Sequence, residues 1–349
     1  MTARSKEIHF IVPGRLDQAT GGYRYDKQMI DGLGARGYTV IVHELAGRFP
    51  LADETARHAA RQAIAKTGSA RMVIDGLALL ACEGAFARAA RVIVLVHHPL
   101  ARETGLDAAT RRSLGEREPA LWREAAGAIV TSRFTAGDLV SAGVAPQRIN
   151  IVVPGTARAA IPARRRRGAA RLLCVATLVP RKGHAVLLRA LARLRRSRWR
   201  LDCIGSTTRD PRHAAKLGAM IRLGRLGRRV RLFGEVASDD LEAAYRRANL
   251  FTLASYHEGY GMVVSEALAH GLPVIATSAG AIPWSVPRRA ALLVRPGDAR
   301  ALAAALRRVI DSPRARRRLS RGALATARGL ARWPEQVARF EAALQRLAP

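Results

Sequence analysis

Lys182 and Glu258 are the side chains whose type and setting point most directly to chemistry. Lys182 follows Arg181 in Cys174-Val175-Ala176-Thr177-Leu178-Val179-Pro180-Arg181-Lys182-Gly183-His184, an apolar run that passes through a Pro- and Gly-marked loop into a helical pattern. Two cations at a helix start oppose the helix dipole. A bound diphosphate removes that conflict, because exposed N–H groups and cations then face an anion. Glu258 opens His257-Glu258-Gly259-Tyr260-Gly261-Met262-Val263-Val264-Ser265-Glu266-Ala267, a Gly-rich turn between an apolar strand and a helix. Backbone N–H groups of such a turn approach phosphate closely. Glu258 stands before the helix and reaches past the phosphates. Glu266 stands on it, where a carboxylate accepts hydrogen bonds from vicinal hydroxyls. Phosphates held between two hydroxyl-binding carboxylates describe a nucleotide sugar. A third candidate is His97, with His98 beside it, at the end of the apolar run Val94-Leu95-Val96. Strand carboxyl ends line ligand crevices in parallel sheets.

The elements that position these groups alternate β-branched runs with helical stretches. Strands are expected near Ile8–Val12, Thr39–His43, Met72–Asp75, Val92–His97, Ala128–Thr131 and Ile149–Val153. A second series is expected near Leu172–Ala176, Leu201–Ile204, Val230–Phe233, Leu250–Leu253, Val274–Ala276 and Leu292–Val294. Continuous apolar strands between helices mean parallel sheets covered on both faces. The fold class is therefore α/β, with two Rossmann-like parallel-sheet domains facing a central cleft. Pro154-Gly155, Ile161-Pro162 and the run Arg164-Arg165-Arg166-Arg167 mark a linker at 154–168. The expected division is an N-terminal acceptor-side domain at 1–160 and a nucleotide-sugar-binding domain at 161–332. A last helix, 333–349, carries Val337, Phe340, Leu344 and Leu347 on one face.

The chain has 349 residues and a formal net charge of +32, and only five of its 59 basic residues are lysines. Arginine recurs on nearly every helical stretch, as solvated helix faces require. Neither an aromatic stacking platform nor a zinc-finger, RRM or basic-zipper pattern accompanies it, so nucleic acid is not the expected partner. Attraction to an anionic membrane face is the other reading of this charge. No stretch reaches the ~18–20 uninterrupted apolar residues of a membrane span, and the start lacks a signal-peptide pattern. The expected location is cytoplasmic, with peripheral docking on the inner membrane face. Cys82, Cys174 and Cys203 are scattered and lie in apolar surroundings; their spacing suggests neither zinc nor a disulfide framework, and they read as core residues. Asp239-Asp240 are adjacent and fit the first turn of a helix after Ser238 better than an Asp-x-Asp metal motif. Neither a cofactor nor a metal is expected.

Taken together, these motifs resemble glycosyltransferase family 4, the retaining GT-B enzymes. The likeness also takes in Thr20-Gly21-Gly22-Tyr23, Leu33-Gly34-Ala35-Arg36-Gly37-Tyr38-Thr39-Val40, Val94-Leu95-Val96-His97-His98-Pro99 and Phe233-Gly234-Glu235-Val236. It implies a retaining hexosyl transfer from a UDP- or GDP-linked sugar to a hydroxyl acceptor, a glycan or lipid-linked glycan. By this resemblance Gly22 lets a loop approach the donor diphosphate, and Lys182, with Arg181 helping, neutralises it on leaving. Glu258 bonds the transferred sugar, and the backbone of Gly259, Tyr260, Gly261, Met262 and Val263 adds contacts. Glu266 holds the ribose, the loop at Gly234 lies near the base, and His97 sits near the transferred sugar. His97, Glu258 and Lys182 form the implied catalytic set, and the last helix is implied to cross back onto the first domain. The chain departs from the family pattern at Ala176-Thr177, where many members carry Gly-Arg; Arg181 is the candidate replacement cation. A GT-B sugar-nucleotide epimerase and a non-catalytic basic scaffold for nucleic acid are the alternative readings.

Overall fold

The computed structural model describes residues 6–85, 91–159 and 168–348; most of the Arg-rich part of the expected linker, 160–167, lies outside them. Contacts divide the chain into two units. One is Met1–Gly155 together with Ala331–Pro349, and the other is Thr156–Leu330.

The first unit holds six parallel strands: β1 (Glu7–Pro13), β2 (Thr39–Leu45), β3 (Arg71–Asp75), β4 (Val92–Val96), β5 (Gly127–Val130) and β6 (Ile149–Ile151). Their order is β2-β1-β3-β4-β5-β6. β3, β4 and β5 are buried along their whole length, which explains the apolar runs Met72–Ile74, Val92–Val96 and Gly127–Val130. The direction of winding reverses between β1 and β3, so the crevice forms where the chain leaves β1, β3 and β4. The helix Trp333–Leu347 closes this unit against the helix Gly21–Ala35. Glycine sets the closeness of that contact, because a Cβ on Gly32 would lie 2.4 Å from Val337 Cγ2. Phe340 and Leu344 are fully buried on the same face, and Phe340 stacks on Phe10 at 6.1 Å. Burying each contributes on the order of 1.5–3 kcal/mol.

The second unit holds β7 (Ala170–Val175), β8 (Trp199–Ile204), β9 (Val230–Leu232), β10 (Leu250–Leu253), β11 (Val274–Thr277) and β12 (Ala291–Val294). Its parallel order, β9-β8-β7-β10-β11-β12, is that of doubly wound nucleotide-binding sheets. The switch point falls between β7 and β10, so the loops after those two strands share one crevice. All twelve strands fall where the alternation of apolar runs placed them, and both sheets are the expected α/β design. Two details differ. β4 ends at Val96, which leaves His97 in the loop, and Ala237 rather than Ser238 caps the helix whose first turn carries Asp239 and Asp240. Among the described residues no helix is long and apolar enough to cross a membrane.

Candidate functional site

In the second unit, the switch point brings together the two motifs that stand 76 residues apart in sequence. Lys182 Nζ donates to Glu258 Oε1 at 2.7 Å and Oε2 at 2.9 Å. Gly183 makes this approach possible. Its φ is 66°, and a Cβ there would stand 1.9 Å from the Ala254 carbonyl oxygen at the end of β10. A left-handed, side-chain-free residue is therefore required, and it turns Pro180-Arg181-Lys182 back over the strand end. Arg181 is stitched to the same loop twice. Its guanidinium donates to the His257 carbonyl at 3.0 Å, and its own carbonyl accepts from Tyr256 N–H at 2.8 Å. Thr177 stands half-buried in the loop between β7 and this turn.

Glu258 is buried and well served. Ser255 Oγ donates to Oε1 at 2.6 Å, and the Glu258 carbonyl accepts from Ala281 N–H at 2.9 Å. Burial favours the neutral acid, but the charges of Lys182 and Arg181 and the bonds from Lys182 and Ser255 outweigh it and hold Glu258 below its ordinary range. Glu258 is thus a fixed carboxylate. Beyond it, Gly261 takes φ 90° and starts the helix Met262–Ala269. Gly259, Tyr260, Met262 and Val263 are half-buried around that turn, with Ser285 Oγ donating to the Tyr260 carbonyl at 3.3 Å. Glu266, on the helix, accepts from Tyr245 O–H at 2.8 Å. Gly234 does not join this group: it follows β9, two strands from β7, and its carbonyl accepts from Gly205 N–H at 2.8 Å.

The first unit builds a separate cluster. His97 Nε2 stands 2.9 Å from Asp26 Oδ1 and 3.2 Å from Asp75 Oδ2. Asp26 comes from the helix Gly21–Ala35, and Asp75 ends β3. Gly22, one turn before Asp26, covers the imidazole; a Cβ on it would lie 3.3 Å from His97 Cδ2. Tyr25 meets the same ring edge-on at 5.4 Å. Burial opposes a charge on His97, yet the Asp26 charge and the bonds to both carboxylates raise it to about 10. Asp26 is pushed up to about 7, first by burial and then by the like charge of Asp75, against the pull of His97. Asp75 is held low: burial is outweighed by its bonds to His97 and Asp26 and by the backbone N–H of Leu77. The cluster therefore holds an imidazolium between an ionised and a partly protonated carboxyl. His98 turns away, to Glu103 Oε2 at 3.4 Å.

Asp26, Asp75, Ser255 and Tyr245 were not foreseen. A signal exists for Asp75, since a carboxylate closing an otherwise apolar strand at its carboxyl end sits where ligands bind. Asp26 is four residues past Gly22, one turn along the same helix face. Ser255 and Tyr245 carry no such signal.

Residues 169–312 match the family model described as Glycosyl transferases group 1. These residues lie within the second unit. One curated relative of the chain is the MMP alpha-(1->4)-mannosyltransferase of Mycolicibacterium hassiacum. It is 28% identical over 276 residues, covering 74% of this chain and 66% of the relative, just under two thirds of its length. Among solved structures, a sucrose-phosphate synthase from Thermosynechococcus elongatus matches with a TM-score of 0.83 at 22% identity, covering 98% of each chain. Alr3699/HepE of Anabaena, solved in complex with UDP and glucose, matches with a TM-score of 0.74 at 16% identity, covering 97% of this chain and 99% of that one. The chain has the GT-B fold, and the resemblance to glycosyltransferase family 4 is borne out.

Proposed function

We propose that the protein transfers a hexosyl group, with retention of configuration, from a UDP- or GDP-linked sugar to a hydroxyl of a glycan or lipid-linked glycan. The meeting of Lys182 and Glu258 at the switch point of the second sheet carries this reading. It joins a fixed cation, a fixed carboxylate and a helix amino terminus within one crevice. As the glycosidic bond to the diphosphate breaks, negative charge grows on the leaving phosphate and positive charge on the anomeric carbon. Lys182, Arg181 and the amino end of the helix Met262–Ala269 stabilise the first. Glu258, released from Lys182 by the incoming phosphates, accepts hydrogen bonds from the sugar hydroxyls. Glu266, held by Tyr245, receives the ribose. The chain's own cations supply the charge, so the reaction as proposed runs without metal. In the first unit, Asp26 and Asp75 position His97 as an imidazolium, a donor for the transferred sugar.

The complex of the Anabaena neighbour with UDP and glucose supports a nucleotide-sugar donor. The +32 charge supports docking on an anionic membrane face, where a lipid-linked acceptor resides; equal partitioning onto neutral and anionic vesicles at moderate salt would remove that part. The test of the reaction is a chelator-treated screen of UDP- and GDP-sugars, following thermal stabilisation and nucleotide release. One donor should raise the Tm and be slowly hydrolysed, and both responses should vanish in Lys182→Ala and Glu258→Gln. Salt-sensitive retention on DNA, with no response to any donor, would favour the scaffold reading instead.

A further inference from the structure

The second unit contains a polar cluster in its core that the site above does not use. Cys174 and Cys203, 29 residues apart in the chain, are direct neighbours across β7 and β8. Register therefore sets both side chains on one face of the sheet. His184, the first residue of the helix His184–Ala192, caps that face. All three are buried, each no more than 2% exposed, and their donor atoms lie within 4.8 Å of one another. Scattered in sequence, both cysteines read as core residues; strand pairing is what joins them. His184 is also an anomaly as a core residue. Its Nε2 stands 3.8 Å from the Cys174 sulfur, and its Nδ1 is buried without a hydrogen-bond partner. A buried imidazole served this poorly is unfavourable unless something satisfies it.

We propose that Cys174, Cys203 and His184 form a binding site for a thiophilic divalent cation, Zn²⁺ by its chemistry. Bonds of ~2.3 Å to sulfur and ~2.0–2.1 Å to nitrogen, at tetrahedral to trigonal angles, require a sulfur–nitrogen separation of about 3.6–3.8 Å. The Cys174–His184 distance of 3.8 Å meets that requirement without rearrangement. Two thiolates and a neutral imidazole balance the charge of a divalent cation, which is what burial demands. Loading releases the two thiol protons to solvent. The ligands bracket the loop that carries Arg181 and Lys182: Cys174 precedes it on β7, and His184 follows Lys182 by two residues. The ion would pin both ends of this loop from beneath. The proposal does not depend on the transferase reading.

The test uses the reduced, chelator-dialysed full chain titrated with Co²⁺ as a spectroscopic stand-in. One equivalent should bind, with a near-ultraviolet thiolate-to-metal band that one equivalent of Zn²⁺ abolishes. Cys174→Ser, Cys203→Ser and His184→Asn should each lose the band or weaken binding at least tenfold, whereas Cys82→Ser, at a cysteine of the first unit, should keep it. Thiol counting on the unsubstituted protein guards against misfolded variants: in mild denaturant, Zn²⁺ should protect two of the three cysteines. Absence of the band in the unsubstituted protein, its persistence in Cys174→Ser and Cys203→Ser, protection of no thiols, or a Cys174–Cys203 disulfide in the native chain would overturn the proposal.

Discussion

Lys182 Nζ stands within 2.9 Å of both carboxylate oxygens of Glu258, in a pair whose side chains are 16% and 6% exposed. Removing one partner of such a pair leaves the other charge buried and unmatched, at a cost of about 3–5 kcal/mol. Lys182→Ala should therefore destabilise the second unit by roughly that amount. The double variant Lys182→Ala/Glu258→Gln should lose less than the two singles added together. Denaturant titrations of the three variants check this. Because Glu258 is held below its ordinary range, the stability it contributes is complete above that range and is lost as pH falls through the lowered value.

His97 gives the opposite pH dependence. Its value is raised to about 10, so its contribution is complete below the ordinary histidine range and disappears as pH rises through about 10. Imidazole NMR signals should show His97 still protonated at pH 8, where an exposed histidine is neutral. In Asp26→Asn the midpoint should fall by at least one unit. A midpoint near the ordinary value in the unsubstituted protein would remove the proposed imidazolium.

Glu118 supplies a pH test away from both clusters. It is 1% exposed, accepts from Leu100 N–H at 2.8 Å, and burial pushes it up to about 8 against that bond. The native protein therefore keeps this proton where the unfolded chain has lost it, and stability falls as pH rises between the ordinary glutamate range and about 8. Glu118→Gln should match the unsubstituted Tm near pH 5 and exceed it near pH 9.

Two glycines should respond in opposite directions to alanine. Gly183→Ala meets both a left-handed φ and the Ala254 carbonyl, and should cost at least about 2 kcal/mol through strain, while displacing Lys182. Gly137, inside the helix Arg133–Ser141, has nothing within 4 Å of an added Cβ; alanine there should stabilise by about 0.5–1 kcal/mol. Thermal melts distinguish the two.

Strand positions were legible because burial on both faces writes β3, β4, β10 and β11 as largely apolar runs. Lys182 and Glu258 were legible because each stands at a strand-to-helix turn marked by glycine. Their mutual ion pair was not, because sequence gives each residue its turn but not the reach of its side chain across the switch point. The Asp26–Asp75–His97 cluster and the Cys174–Cys203–His184 cluster escaped for one shared reason. Each is assembled by lateral strand neighbours, and strand order is a property of topology rather than of local pattern. His98 shows the reverse limit, since two adjacent histidines of the same type face different partners.

The helix Trp333–Leu347 belongs to the first unit although the whole second unit precedes it in the chain. During synthesis from the amino end, β1 and the helix Gly21–Ala35 emerge early, but Val337, Phe340 and Leu344, which pack against them, emerge only after the whole second unit. The second unit, contiguous in sequence, has all its strands before that moment. The order of completion is thus inverted relative to the order of translation. The early-made half must wait, part-covered, for the helix Trp333–Leu347, and it is the half in which removing that helix would first be felt.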